Sequence, residues 1–115
     1  MNYQRFRDQF ARLLDPALYP LEWLDLQVSQ GIFQLFSTED SAILVKIERY
    51  PSGLLEAHGM AAVGKLPEII GDLIPQAEAW ATAMGCKFAR IESREGWVRA
   101  MSNYSVYQVT LRRAL

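Results

Sequence analysis

Leu66-Pro67-Glu68-Ile69-Ile70-Gly71-Asp72-Leu73-Ile74-Pro75-Gln76-Ala77-Glu78-Ala79-Trp80-Ala81-Thr82-Ala83-Met84-Gly85, followed by Cys86-Lys87-Phe88-Ala89-Arg90-Ile91-Glu92, decides how the rest of the chain is read. Leu66, Ile69, Ile70, Leu73, Ala77, Trp80, Ala81 and Met84 recur at steps of three and four, which lays one apolar stripe along a helix. Gly85 stops the helix, because only glycine takes the left-handed turn there without strain. The residues after it alternate apolar and polar, as a strand does. Trp80 lies mid-stripe and is expected to be buried against a sheet. Pro75 sits inside the helix, lacks an N–H and would press on the carbonyl of Gly71, so a kink is expected there.

Upstream, three short alternating runs read as strands: 32–36, 42–50 and 54–60. Ser37-Thr38-Glu39-Asp40 and Pro51-Ser52-Gly53 supply the turns, which makes an antiparallel meander. The long helix then crosses over, allowing the strand at 87–93 to pair in parallel with the third. Residues 2–14 predict a helix with Tyr3, Phe6, Phe10, Leu13 and Leu14 inward and Arg5, Arg7, Asp8 and Arg12 toward water. Asp15-Pro16 ends it, and Pro20 opens a second helix over about 20–30, closed by Gly31. After the strand at 87–93, a short helix is expected over about 95–102 and a last strand over 104–111. The order is ααβββαβαβ: an α/β (α+β) fold with a mixed, largely antiparallel sheet and helices on both faces, in one domain over 1–115.

Composition narrows the function. The net charge of −1 gives no global pull toward nucleic acid or membrane, and there is no nucleic-acid motif. Residues 81–115 carry six basic against two acidic side chains, and residues 1–80 six against eleven, which reads as a solvated basic surface or, as the functional alternative, an anion site near the C-terminal half. One cysteine excludes an internal disulfide and fits a reducing compartment. With no signal-peptide pattern and no apolar run long enough to span a bilayer, a cytoplasmic protein is expected. One cysteine and one histidine exclude a multi-His/Cys metal site within one chain. Cys86, directly after a helix stop, reads as a small buried residue. Arg94 and Arg99 flank Trp97 and either face solvent or grip a phosphate or carboxylate.

In detail, Ala79-Trp80-Ala81-Thr82-Ala83-Met84-Gly85-Cys86, then Ser93-Arg94-Glu95-Gly96-Trp97-Val98-Arg99, then an aromatic-rich run ending in Arg112-Arg113-Ala114-Leu115, resembles the GNAT superfamily of N-acyltransferases. It is most similar to small GNAT-like proteins encoded by phages and prophages. The resemblance covers the chain from about Leu21 onward. It implies an acyl group passed from acetyl-CoA to an amine, inside a host cell. Glu56, on the same face of the third strand as His58, would be the general base. Val63, Gly64 and Lys65 would hold the CoA pyrophosphate at the start of the long helix. Here the sequence departs from the family: the loop has one glycine, and Pro67 removes an early donor. Met101 stands where the family often has an acidic tyrosine, leaving Tyr104 as the nearest phenol. The same departures suit a second role, a non-catalytic assembly or interaction module such as a phage structural protein. The final strand would lie at a sheet edge, which suggests a homodimer.

Overall fold

The computed structural model describes residues 2–93 and 96–115, with Val98 by its backbone only. Helices α1 (Asn2–Leu13) and α2 (Leu21–Ser29) precede strands β1 (Gln34–Ser37), β2 (Ala42–Arg49) and β3 (Leu55–Val63). A long helix over 66–83 leads to β4 (Phe88–Ile91) and a short helix, Trp97–Ala100. The sheet order is β1-β2-β3-β4, antiparallel except for the parallel β3–β4 pair across the long helix. This is the mixed α/β architecture that the element order predicts. Among the described residues, no helix is long and apolar enough to cross a membrane.

Two apolar layers sandwich the sheet. On one face Tyr3, Phe6 and Phe10 of α1 and Leu24 and Val28 of α2 pack on Ala42, Leu44 and Val63. On the other, Ile69, Leu73, Ile74, Ala77 and Ala81 of the long helix cover Ile43, Val45 and Ala57. Alternation along the strands sets these faces. Ala42 and Leu44 face α1, whereas Ile43 and Val45 face the long helix. Arg7 does not face water as its place on the helix suggests. It forks onto Asp25 of α2 at 2.9 and 2.8 Å, and Tyr3 donates to the same carboxylate at 2.6 Å. Asp25 is held below the usual carboxylate range by Arg7 first and Tyr3 second. The tie fixes the angle between α1 and α2, and it leaves Leu13 half exposed rather than in the stripe.

Near Pro75, where a kink is expected, the long helix departs from α geometry one turn earlier: it widens into a π-helical segment, Ile69–Leu73, between α-helical Leu66–Glu68 and Ile74–Ala83. The Ile74 N–H reaches back to the carbonyl of Ile69. A π turn absorbs an extra residue and loosens the backbone ladder near the proline ring. Trp80 is half-buried, not buried. It meets Phe36 of β1 edge-on, with ring centroids 5.7 Å apart, while the small Ala77 and Ala81 make the close contact with the sheet.

The last strand, 104–111, does not form: residues 103–115 adopt no helix and pair with no strand. Val106, Tyr107, Val109 and Leu111 are 66–90% exposed. A strand needs a partner of matching length and one face to bury. β4 offers four residues, and apolar side chains alternate onto both faces of the segment. The predicted short helix is shorter than expected, Trp97–Ala100, and Arg94 and Glu95 of the turn before it lie outside the described residues.

Candidate functional site

β3 and β4 pair over four positions only, from Glu56 opposite Phe88 to Gly59 opposite Ile91. Beyond Gly59, β3 runs on to Val63 bonded to β2 alone. The parting coincides with a register shift. Val45 is opposite Gly59 and Leu44 is opposite Ala61, so Met60 is an extra residue in β3. Such a β-bulge bends its strand and adds twist, which turns the end of β3 away from β4. Gly59 suits the position, because a Cβ there would sit 3.4 Å from the Ile91 side chain. β4 ends at Ile91, where the pairing ends, so β3 runs on past it with backbone groups that no other described strand pairs on that side. An extended amide-containing chain would find hydrogen-bonding groups there.

A polar cluster lies on the α1 face of the sheet but beyond the helices' cover. Glu56 and His58 point there because Ala57 between them packs on the long helix. Both are buried, at 9% and 6% exposure. Glu56 Oε1 accepts the Tyr50 hydroxyl at 2.5 Å and lies 3.8 Å from Arg90 Nε. The hydrogen bond to Glu56 pushes the Tyr50 phenol up. Arg90 extends an N–H toward His58 Nδ1 at 3.3 Å. A guanidinium only donates, so Nδ1 is the acceptor and Nε2 carries the proton of neutral His58. Nε2 stands 3.1 Å from Glu92 Oε1 but off the line of a formed hydrogen bond. His58 is thereby fixed in one tautomer and does not offer a free base nitrogen.

Burial first, then Arg90, holds the His58 pKa below its ordinary value. The unfolded chain therefore binds this proton more readily than the folded chain. Stability contributed by neutral His58 is present above the unfolded pKa of about 6.5 and is lost as pH falls below it. Between pH 6.5 and 5 the unfolding free energy should fall as pH falls, by at most ~1.4 kcal/mol per pH unit, one proton's worth. His58→Asn should flatten that slope, since no other histidine is present. A wild-type stability flat across this range would exclude the neutral buried state.

Tyr104 sits on the opposite face. It packs with Met101, Trp97 and Ile91 on the long-helix side and donates to Glu78 Oε2 at 2.8 Å. Burial and that carboxylate raise its pKa well above the ordinary phenol range. Glu56 and Tyr104 line one cleft of about 1400 Å³ that wraps the outer edge of β4 and includes Phe88, Arg90 and Val106. They approach it from different sides of the sheet. Tyr50 and Arg90, which hold Glu56, were not singled out in the sequence. Their only signal was position: Tyr50 follows β2 directly, next to the turn, and Arg90 is two residues into β4.

Val63, Gly64 and Lys65 form the turn from β3 into the long helix, as expected. The turn is committed to the chain's own groups. The Lys65 N–H donates to Ser41 Oγ at 2.8 Å, and Lys65 Nζ pairs with Asp40 at 3.0 Å. The Glu68 carboxylate lies over the first helical turn, accepting hydroxyls from Ser41 at 2.6 Å and Thr38 at 2.9 Å. Gly64, at φ +108°, rests on the β1–β2 turn, where a Cβ would come within 2.5 Å of the Asp40 carbonyl. A pyrophosphate does not fit this arrangement.

No family model matches the sequence, and no curated protein matches it significantly. Solved structures do. A protein from Pyrococcus furiosus assigned as an acetyl transferase superposes with a TM-score of 0.65 at 13% identity, covering 97% of this chain and 90% of that one. Glucosamine-6-phosphate N-acetyltransferase from Arabidopsis thaliana gives 0.59 at 16% identity, covering 92% and 88%. An acetyltransferase from Trypanosoma brucei gives 0.56 at 17%, covering 80% and 75%. At these identities the likeness speaks to fold alone. With the bulged β3, its short parallel pairing with β4 and the long crossover helix, the chain has the GNAT-like acetyltransferase fold.

Proposed function

We propose that the chain is an N-acyltransferase that takes an acyl group from a thioester, acetyl-CoA being the donor its fold implies. The observation that carries this reading is the Met60 bulge and the run of β3 beyond the end of β4 after Gly59, which leaves backbone groups of β3 without a described strand partner on that side. The arm of the thioester enters there and adds its amides to the free strand edges. The amine nitrogen of the acceptor attacks the thioester carbonyl; the N–C bond forms, the C–S bond breaks, and sulfur leaves as thiolate. The proton lost by nitrogen goes to Glu56. Pairing ends three residues beyond Glu56, about 10 Å along the strand, so the proton reaches it through water. The thiolate is protonated from solvent, because the Tyr104 hydroxyl is tied to Glu78 and is a weaker acid than a thiol. Tyr104 serves to hold the short helix against the long one.

An acyl thioester at about 100 times its dissociation constant should raise unfolding free energy by about 2.7 kcal/mol. Glu56→Gln should keep that binding and lose about 10²–10⁴ in transfer to an amine, the usual scale of general base catalysis. No stabilisation by any acyl thioester at millimolar concentration refutes the enzyme.

A second reading is favoured by one observation, the exposed apolar side chains of Val106, Tyr107, Val109 and Leu111 in a chain whose β4 edge bears no strand among the described residues. In this reading the protein is an interaction module, a homodimer or a phage assembly component, that pairs the segment 104–111 with an edge on another copy. Sedimentation equilibrium at micromolar concentration separates the two states: a dimer near twice 13.1 kDa is expected, and a single monomeric species across the range ends this reading.

A further inference from the structure

We infer that the acyl donor is gripped by its pantetheine arm alone, because the turn that would hold a nucleotide pyrophosphate is filled by the chain's own Glu68 carboxylate. The inference rests on the acyltransferase reading and names its donor class: acyl thioesters of pantetheine, for which the nucleotide adds nothing to binding.

Four observations converge. Between Lys65 and Ile69 the backbone donors are nearly spent. The Lys65 N–H goes to Ser41 Oγ, Pro67 has none, and the Ile69 N–H closes the first turn on the Lys65 carbonyl. An anion cradle needs several convergent amides, and at most those of Leu66 and Glu68 are left in this stretch. The two hydroxyls that could assist are also taken, since Ser41 and Thr38 both donate to Glu68 Oε2. Ser41 is fully buried and Glu68 and Thr38 are partly so. Gly64 presses on the Asp40 carbonyl and on Ser41, which closes that side of the turn by backbone.

Charge gives the same answer. Around the turn stand Glu39, Asp40 and Glu68 against Arg5 and Lys65, three negative groups to two positive. Both cations are engaged, Arg5 on the Glu39 carbonyl and Lys65 on the Asp40 carboxylate. A doubly negative pyrophosphate would meet net negative charge and no free cation. The pantetheine arm carries no such charge, and its amides match the open backbone of 60–63.

The experiment compares S-acetyl-pantetheine and acetyl-CoA on the full chain by calorimetry. The two should bind within about threefold of each other, a difference under 1 kcal/mol. Raising salt from about 0.05 to 0.5 M should leave acetyl-CoA affinity unchanged or improved, because screening removes repulsion. Glu68→Gln should tighten acetyl-CoA and leave acetyl-pantetheine as it was. Acetyl-CoA binding tenfold or more tightly than acetyl-pantetheine, or weakening steeply with salt, overturns the inference while the acyltransferase reading stands. Binding of neither thioester overturns both.

Discussion

Phe10→Ala should lower the unfolding free energy by about 3–5 kcal/mol, the largest loss expected from any single truncation of α1. Phe10 is fully buried, at 0% exposure, within the cluster that joins α1, α2 and the sheet. α1 is held to the sheet through Tyr3, Phe6 and Phe10, spaced by three and four residues on one face. Removing the ring leaves a cavity bounded by two helices and a strand, none of which can close it without breaking the Arg7–Asp25 tie. Against a typical total of about 5–15 kcal/mol, the variant sits near the edge of folding. Urea unfolding with an unchanged m-value measures it. Leu13→Ala, on the same helix but half exposed, should cost less than about 0.5 kcal/mol. Equal losses at the two positions would show that α1 docks on a different face.

Gly64→Ala should cost on the order of 3 kcal/mol. Two penalties add. At φ +108° a side chain is strained by about 1–3 kcal/mol wherever it points. The new Cβ would also come within 2.5–2.6 Å of backbone atoms of Asp40 and Ser41, which cannot swing aside as a side-chain tip can. Overpacking of that kind costs about 1–3 kcal/mol. The damage should spread to the Ser41–Lys65–Glu68 hydrogen bonds, so the start of the long helix should lose amide protection before the rest of the sheet. Gly71→Ala is the control. Nothing lies within 4 Å of its missing Cβ, so it should be neutral or slightly stabilising. A loss below about 1 kcal/mol at Gly64 would mean the turn is free to move off the β1–β2 loop.

Periodicity made most of the fold legible. Tyr3, Phe6 and Phe10 and the stripe from Ile69 to Ala81 each sort one face from the other, and turn residues separate the strands. What escaped was whatever depends on a partner distant in sequence. The alternation in 104–111 is a real strand pattern, but a strand is a pair, and no pattern reports whether its neighbour is long enough. Trp80 lies on the stripe by spacing, yet the alanines beside it bring the helix so close to the sheet that the ring is pushed to the rim. At the candidate site, Glu56 and His58 could be picked out because charged residues were set beside apolar ones on a strand. Tyr50 and Arg90, which hold them, come from the residue after β2 and from within β4. The fate of the helix-start turn was hidden for the same reason: Glu68 reads as an ordinary first-turn acid until Ser41 and Thr38 are seen beside it.

The π turn at 69–73 acts as a frameshift in three dimensions. One residue more than an α-helix requires rotates everything after it by roughly 100°, one residue's share of a helical turn. Leu73 and Ile74 can thus be buried side by side, and the two halves of the helix present different registers to one sheet. Removing a single residue there, Gly71 for instance, would make the helix more regular and the protein worse. Ala77 and Ala81 would swing off the sheet, Glu78 would leave Tyr104, and the short helix would lose its anchor. A length change of one residue here is equivalent to rewriting the second half of the stripe.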